Sequence, residues 1–262
     1  MAIESSINAP LAWPRRHVGK LLLLAGAALY VLCFAPQSPV FNALLQWSPA
    51  LAAGFGQNIL ISLVAIGLGS LLGLLVGALA VSPLRLLRVP AQVWVQIFRN
   101  APWLVLIYFT TYVFPFEIKL GNTYVAFPDW VKVTLGLALP ASANVAEIFR
   151  GAIGSIPGTQ WEAARSLAFT RGQIFRSIIL PQCFKRMLPP WMNLYAVITM
   201  GTALASLVGV HDVIDTAQIA SNTVNMTGFT VVIYLSLLVL FFAYCYPISR
   251  LTQYLERRYA FY

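Results

Sequence analysis

The sequence predicts an all-α fold, a polytopic bundle of helices that cross a membrane. Of its 262 residues, 59% are apolar and only 10% charged, more apolar surface than a soluble core of this size can bury. Several apolar stretches reach the roughly twenty residues needed to cross a hydrocarbon layer about 30 Å thick. The basic residues gather in alternate connections between those stretches, the pattern left when positive charge stays on the cytosolic side.

In chain order, residues 1–20 read as a cytosolic segment containing Arg15, Arg16 and Lys20. The short apolar stretch 21–35 reads as a retained helix rather than a cleaved signal, and 36–55 as an outer connector. Residues 56–81 form the clearest span, apolar apart from Gln57, Asn58 and two serines, and stopped by Ser82-Pro83. Residues 91–114 form the next, interrupted at Arg99-Asn100-Ala101-Pro102, where proline removes a backbone donor and kinks or breaks the helix. Residues 131–149 follow, bent near Pro140, and 188–208 open with Pro189-Pro190, a favoured helix start. Residues 229–248 close the set, leaving 250–262 as a cytosolic tail.

With the N terminus inside, 14 of the 17 basic residues are cytosolic; only Lys119 and Lys132 fall outside, and Arg99 lies within a span. The net charge of +9 then reflects topology and contact with an anionic bilayer rather than nucleic-acid binding. Cys33, Cys183 and Cys245 are scattered, so no disulfide is expected, and His17 and His211 are too distant in sequence to suggest a metal site.

The longest polar connection, 150–187, holds six of the basic residues. Pro157-Gly158-Thr159-Gln160 reads as a turn. Residues 161–169 read as a short helix with Glu162 in its first turn, where the helix dipole favours a carboxylate. A second helix, 171–179, is expected to end before Pro181, so that the pair forms a projecting knob.

Glu162-Ala163-Ala164, three residues, Ala168, nine residues and Ile178-Ile179-Leu180-Pro181 resemble the EAA loop of the membrane subunits of ABC importers. Phe98-Arg99-Asn100-Ala101-Pro102 and Ala146-Glu147-Ile148-Phe149-Arg150-Gly151 resemble two segments of the polar amino acid branch of that family. The resemblance covers approximately 56–250 and implies a five-helix type I importer core over 56–249 plus one N-terminal helix. It further implies a permease subunit of the bacterial inner membrane with both termini cytosolic. The implied partners are a second permease subunit, identical or different, two ATPase subunits that carry ATP and Mg, and a periplasmic or lipoprotein binding protein that delivers a polar amino acid. The chain lacks a G-x4-G-K-[ST] phosphate loop, so the ATPase is expected on another polypeptide, with no catalytic residue, cofactor or metal on this one.

The resemblance makes the knob the coupling element. Ala163 and Ala164 would let a partner's backbone approach, Leu167 and Phe169 would anchor it, and Glu162, Arg165 and Arg171 would pair at the rim. Two positions depart from the family pattern. Gly158-Thr159-Gln160 stands where lysine or histidine followed by Gly-Gln is common, and Ala168 stands where glycine is usual. Alanine at positive φ is strained by roughly 1 kcal/mol or more, so either this joint uses negative φ or the turn has moved to Gly172.

Polar groups within spans mark the candidate substrate path: Arg99, Asn100, Asn144, Asn193, Thr202 and Ser206. Arg99 either snorkels to the cytosolic interface, pairs with Glu147 or meets a substrate carboxylate. The small residues around Thr202 and Ser206 suit helix packing more than ligation. Residues 116–129 and 209–228, the latter with His211, Asp212 and Asp215, are expected to face the binding protein. An ion-coupled secondary carrier would show an internal repeat and paired intramembrane carboxylates. An intramembrane enzyme would need a nucleophile and base, or metal ligands, at matching depth. Neither pattern is present in the sequence.

Overall fold

The computed structural model describes residues 39–120 and 123–259. The expected helix over 21–35 and the segment before it lie outside the described residues. Helix α1 runs over Pro39–Ala80, through Pro49. The connector expected over 36–55 is therefore helical from Pro39 onward. Leu51 and Phe55 explain the extension, because they are buried in an apolar cluster with Val213, Phe229 and Ile233, and packing of an apolar face carries a helix past a proline.

Helix α2, Arg85–Asn100, and α3, Trp103–Val113, are separated by the extended residues Ala101 and Pro102. The expected proline break is thus complete, and the residue before the proline is extended as its ring requires. At 11 residues α3 covers only about 16 Å at about 1.5 Å per residue. A hairpin follows, with β1 (Glu117–Leu120) antiparallel to β2 (Thr123–Ala126) in the register Glu117 to Ala126, where the sequence suggested only a loop.

Helix α4, Asp129–Gly154, is the axis of the bundle, with more than half of its 26 residues buried. Lys132 is fully buried, its Nζ 2.9 Å from Asp129 Oδ1 and 3.9 Å from the centroid of the Phe116 ring. The short α5, Gly158–Ser166, precedes α6, Arg171–Gln173. From there the chain runs without a break through a π-helical stretch, Ile174–Ile179, into α7, Leu180–Gly201, and ends in a 3-10 segment, Thr202–Val208. The second knob helix therefore does not stop before Pro181, and the fifth span does not start at Pro189-Pro190, which lie inside α7. The rod passes Pro181 through the π-helical turn, where Leu180 N–H donates to Phe175 O, five residues back. A single π turn of this kind absorbs a distortion without ending the helix.

Residues 209–228, read from the sequence as a polar outer segment, contain α8, Val213–Val224, capped by Asp212, whose Oδ1 accepts from Asp215 N–H. Helix α9, Thr227–Tyr259, continues the last span through Pro247 into the expected tail. Among the described residues, α1, the rod Arg171–Val208 and α9 are long and apolar enough to cross a membrane, and α3 is a shorter apolar helix. Helix α4 needs less apolar surface, because protein rather than lipid surrounds it.

Helices α1 and α4 meet along a seam of glycines. A Cβ at Gly69 would lie 2.5 Å from Ala141 Cβ, at Gly73 2.6 Å from Ser142 O, and at Gly77 2.9 Å from Phe149 Cδ1. Small residues four apart let the helix backbones approach within van der Waals contact, which drives association where lipid removes the hydrophobic difference. Indole donors bridge the same bundle, from Trp94 Nε1 to Ser142 Oγ at 3.1 Å and from Trp191 Nε1 to Ser70 Oγ at 2.7 Å. Gly73→Ala is expected to destabilise the detergent-purified protein by about 1–3 kcal/mol, read as a lower thermal midpoint. Gly67→Ala, whose added Cβ meets nothing within 4 Å, should not lower the midpoint and should raise stability by up to about 1 kcal/mol, the preference of a helix interior for alanine over glycine.

Candidate functional site

The knob is built on a small core of its own. Ala164 is buried with Ala152, Ile156, Ile174, Ile179 and Cys183, so α5 is fixed on the base of α4 and the start of the rod. This corrects the expectation for Ala164, since its small side chain admits the chain's own helices and not a partner's backbone. Around it Glu162, Ala163, Arg165, Leu167, Ala168, Phe169 and Arg171 are all exposed, Leu167 to 72%. Helix α5 begins at Gly158, which puts Glu162 beyond the first turn and removes the expected dipole contact.

The joint after α5 settles the question posed by Ala168. Its φ is 57°, so alanine itself occupies the left-handed position, and Gly172 is not among the residues at positive φ. Two hydrogen bonds hold it there, Ala168 N–H to Arg165 O at 2.9 Å and Phe169 N–H to Ala164 O at 3.2 Å, the paired bonds of a left-handed helix end. Immediately afterwards Thr170 and Gln173 form a reciprocal cap, with Thr170 N–H donating to Gln173 Oε1 at 2.9 Å. The turn is thus over-determined by its backbone bonds and tolerates a residue that alone would avoid it.

The path candidates do not converge on one point. Arg99 Nη1 lies 3.6 Å from Glu147 Oε1, linking α2 to α4 as one of the expected pairings, while half the Arg99 side chain stays exposed. Glu147 also accepts from Arg150 Nε at 3.1 Å and from its Nη2. A cavity of about 300 Å³ beside this cluster is lined by Gln92, Gln96, Glu147 and Arg150 with Ala80, Val95 and Ala146. Asn100 donates to Gln96 O at 2.7 Å and Asn144 to Pro140 O at 2.8 Å, each within its own helix. Asn193 is exposed on α7, and Ser206 donates to Ala203 O at 2.9 Å.

Thr202 belongs instead to a buried clamp that the sequence did not suggest. Asn58 Nδ2 donates to Thr202 Oγ1 and to Asp212 Oδ2, both at 3.0 Å, and Asn58 Oδ1 accepts from Val213 N–H at 3.0 Å. Asn58, Thr202 and Asp212 are all fully buried, which corrects the expected surface position of Asp212. One turn earlier on α1, a Cβ on Gly54 would lie 2.8 Å from Asp212 O, so glycine is required there. Burial pushes the Asp212 carboxyl above its ordinary range, against the hydrogen bonds from Asp215 N–H, Asn58 and Ile214 N–H that lower it. An asparagine amid an apolar run and an aspartate at a helix start were the available signals. Next to the clamp a second cavity, of about 440 Å³, is lined by Gln57, Asp129, Trp130, Gly209, Val210 and His211. His211 itself is exposed and its Nδ1 lies 2.7 Å from Asp215 Oδ2.

Two substitutions test these assignments. Ala168→Gly should raise stability by about 1 kcal/mol by relieving the left-handed alanine, measured as a higher unfolding midpoint. Asn58→Leu should lower it by about 1–3 kcal/mol for each group stranded, because both the Asp212 carboxylate and the Val213 N–H lose a buried partner.

Residues 65–261 match the family described as binding-protein-dependent transport system inner membrane component. Over 225 residues the chain is 31% identical to the Bacillus subtilis (strain 168) protein named probable amino-acid ABC transporter permease protein YckA, covering 85% of this chain and 96% of that one. It is 30% identical over 206 residues to the same organism's probable glutamine ABC transporter permease protein GlnP, covering 78% of this chain and 91% of the relative. A solved structure described as an amino acid ABC transporter with histidines superposes with a TM-score of 0.73 at 26% identity, covering 83% of this chain and 98% of that one. The matched segment, carrying the EAA-like loop on its knob, shows that this chain belongs to the binding-protein-dependent inner membrane components, the permease subunits of ABC transporters.

Proposed function

We propose that this subunit forms half of the translocation path of an importer for polar amino acids in the bacterial inner membrane. A binding protein delivers the cargo from outside, and a separate ATPase drives the cycle from the cytosol. The observation that carries the coupling is the knob: nine of the ten residues from Glu162 to Arg171 are exposed, on a short helix and the joint after it, anchored from beneath by Ala164. A lever of this kind transmits force only if its base is rigid, and α5 shares one apolar core with the end of α4 and the rod from Ile174 onward. The cargo class draws support from the names of the relatives, which specify amino acids and glutamine.

In this mechanism the docked ATPases, which hold ATP and Mg, approach each other on ATP binding and move the two knobs. Each rod carries that motion from Arg171 to Val208, past the cargo path. The Arg99–Glu147–Arg150 cluster lines the inner part of that path, where its charges complement a zwitterion. The second permease is a copy of this chain or a similar subunit, and both termini are cytosolic. Membership of the ABC permease family leaves the ion-coupled carrier without support.

The test is Arg165→Glu, alone and with Ala163→Trp, in vesicles holding the complete transporter and its binding protein. Uptake and binding-protein-stimulated ATP hydrolysis should fall by roughly tenfold or more, the equivalent of about 1.4 kcal/mol of docking energy, while membrane insertion is retained. Unchanged uptake and stimulation would overturn the placement of the coupling surface.

A further inference from the structure

We infer that the cavity at the joint between the knob and the membrane bundle is a binding site for one acyl chain of an anionic phospholipid. This goes beyond the transport reading and depends only on the rod's position in a membrane. The cavity has a volume of about 470 Å³ and lies between α1, α4 and the rod, with Leu74, Phe149, Leu180, Phe184, Met187 and Trp191 among its walls. Its only polar side chain besides the Trp191 indole is Ser70, whose hydroxyl accepts from Trp191 Nε1 at 2.7 Å. Nothing there meets the ammonium and carboxylate of an amino acid, so the walls select against the proposed cargo and for hydrocarbon.

Position and charge specify the lipid. Phe149 directly precedes Arg150, and Phe184 and Met187 flank Lys185 and Arg186, so the cavity sits where apolar sequence gives way to positive charge. Leu74 lies only about 9 Å from the end of α1 at about 1.5 Å per residue, a depth within one leaflet. Lys185 is exposed and Arg186 donates through Nη1 to Ser155 O at 2.8 Å and Oγ at 3.0 Å; neither has a carboxylate partner among the described residues. Two cations without counter-charges beside an apolar slot complement a phosphate headgroup above its chain. The slot opens sideways, because Phe184 is 68% exposed, Leu74 41%, and the neighbouring Leu71 71%. A chain lodged there braces the rod between its π-helical turn and Pro189-Pro190, the two places where its hydrogen-bond ladder is altered.

The experiment places the complete transporter in phosphatidylcholine vesicles doped with brominated-chain phosphatidylglycerol or, at the same fraction, brominated-chain phosphatidylcholine. The emission of Trp191 is taken as the difference from Trp191→Phe, since bromine quenches indole on contact. Brominated phosphatidylglycerol should quench Trp191 several-fold more than its phosphatidylcholine counterpart, and Lys185→Gln should bring the ratio towards one. Equal quenching by the two lipids would overturn the headgroup assignment. Absence of quenching would overturn the site, with a second copy or the ATPase covering it, and protection of Trp191 by added glutamine would overturn it in favour of cargo. The comparison of wild type with Trp191→Phe decides the matter even if Lys185→Gln fails to assemble.

Discussion

Close contact between α1 and α4 is the constraint on which the rest of the subunit depends. Three glycines at intervals of four bring the backbone of α1 onto α4 so tightly that a methyl group has no room at any of them. In lipid, apolar side chains gain little by leaving the bilayer for one another, so this close packing supplies what hydrophobic burial supplies in water. Every other functional element hangs on the pair. The knob grows from the end of α4, α2 pairs its Arg99 with Glu147 on α4, and the 3-10 end of the rod is tied to Asn58 on α1.

The two ends of the bundle are held by different physics. At the knob, a core of small and branched apolar side chains fixes α5, and backbone hydrogen bonds hold a left-handed turn that alanine would not choose. At the opposite end, Asn58 uses both of its Nδ2 protons and its Oδ1 on three partners, joining α1, the 3-10 segment and the start of α8. Hydrogen bonds of this kind are costly to leave unmade away from water, which makes the clamp geometrically specific. Between them runs one continuous rod, so a displacement at the knob has a direct mechanical route to the clamp. This is the structural basis for reading the chain as a transmitter of force.

Much of this was legible in the sequence. The proline break at Pro102, the three apolar spans in α1, the rod and α9, and the exposed knob follow from local rules of donor loss, length and charge. What was not legible depends on contacts between distant segments. Pro181, Pro189 and Pro190 looked like boundaries, but a π-helical turn and flanking packing let the rod continue through them. Asp212 looked like a surface residue because its partner Asn58 lies 154 positions earlier. Ala164 looked like part of a docking face because neither the length of α5 nor the contacts behind it can be read from composition. The enclosure of Lys132 by Asp129 and Phe116 was likewise not legible, because Phe116 precedes the helix and reaches it only through the fold.

The most direct test of the central claim, that the knob is where an ATPase engages this permease, is photo-cross-linking from a benzophenone side chain at position 163 in native membranes. The account predicts an adduct with a nucleotide-binding ATPase subunit whose yield changes with ATP, and none with that subunit from the same group at position 119 on the hairpin. An ATPase adduct from position 119, or none from 163 in membranes that import cargo, would contradict it.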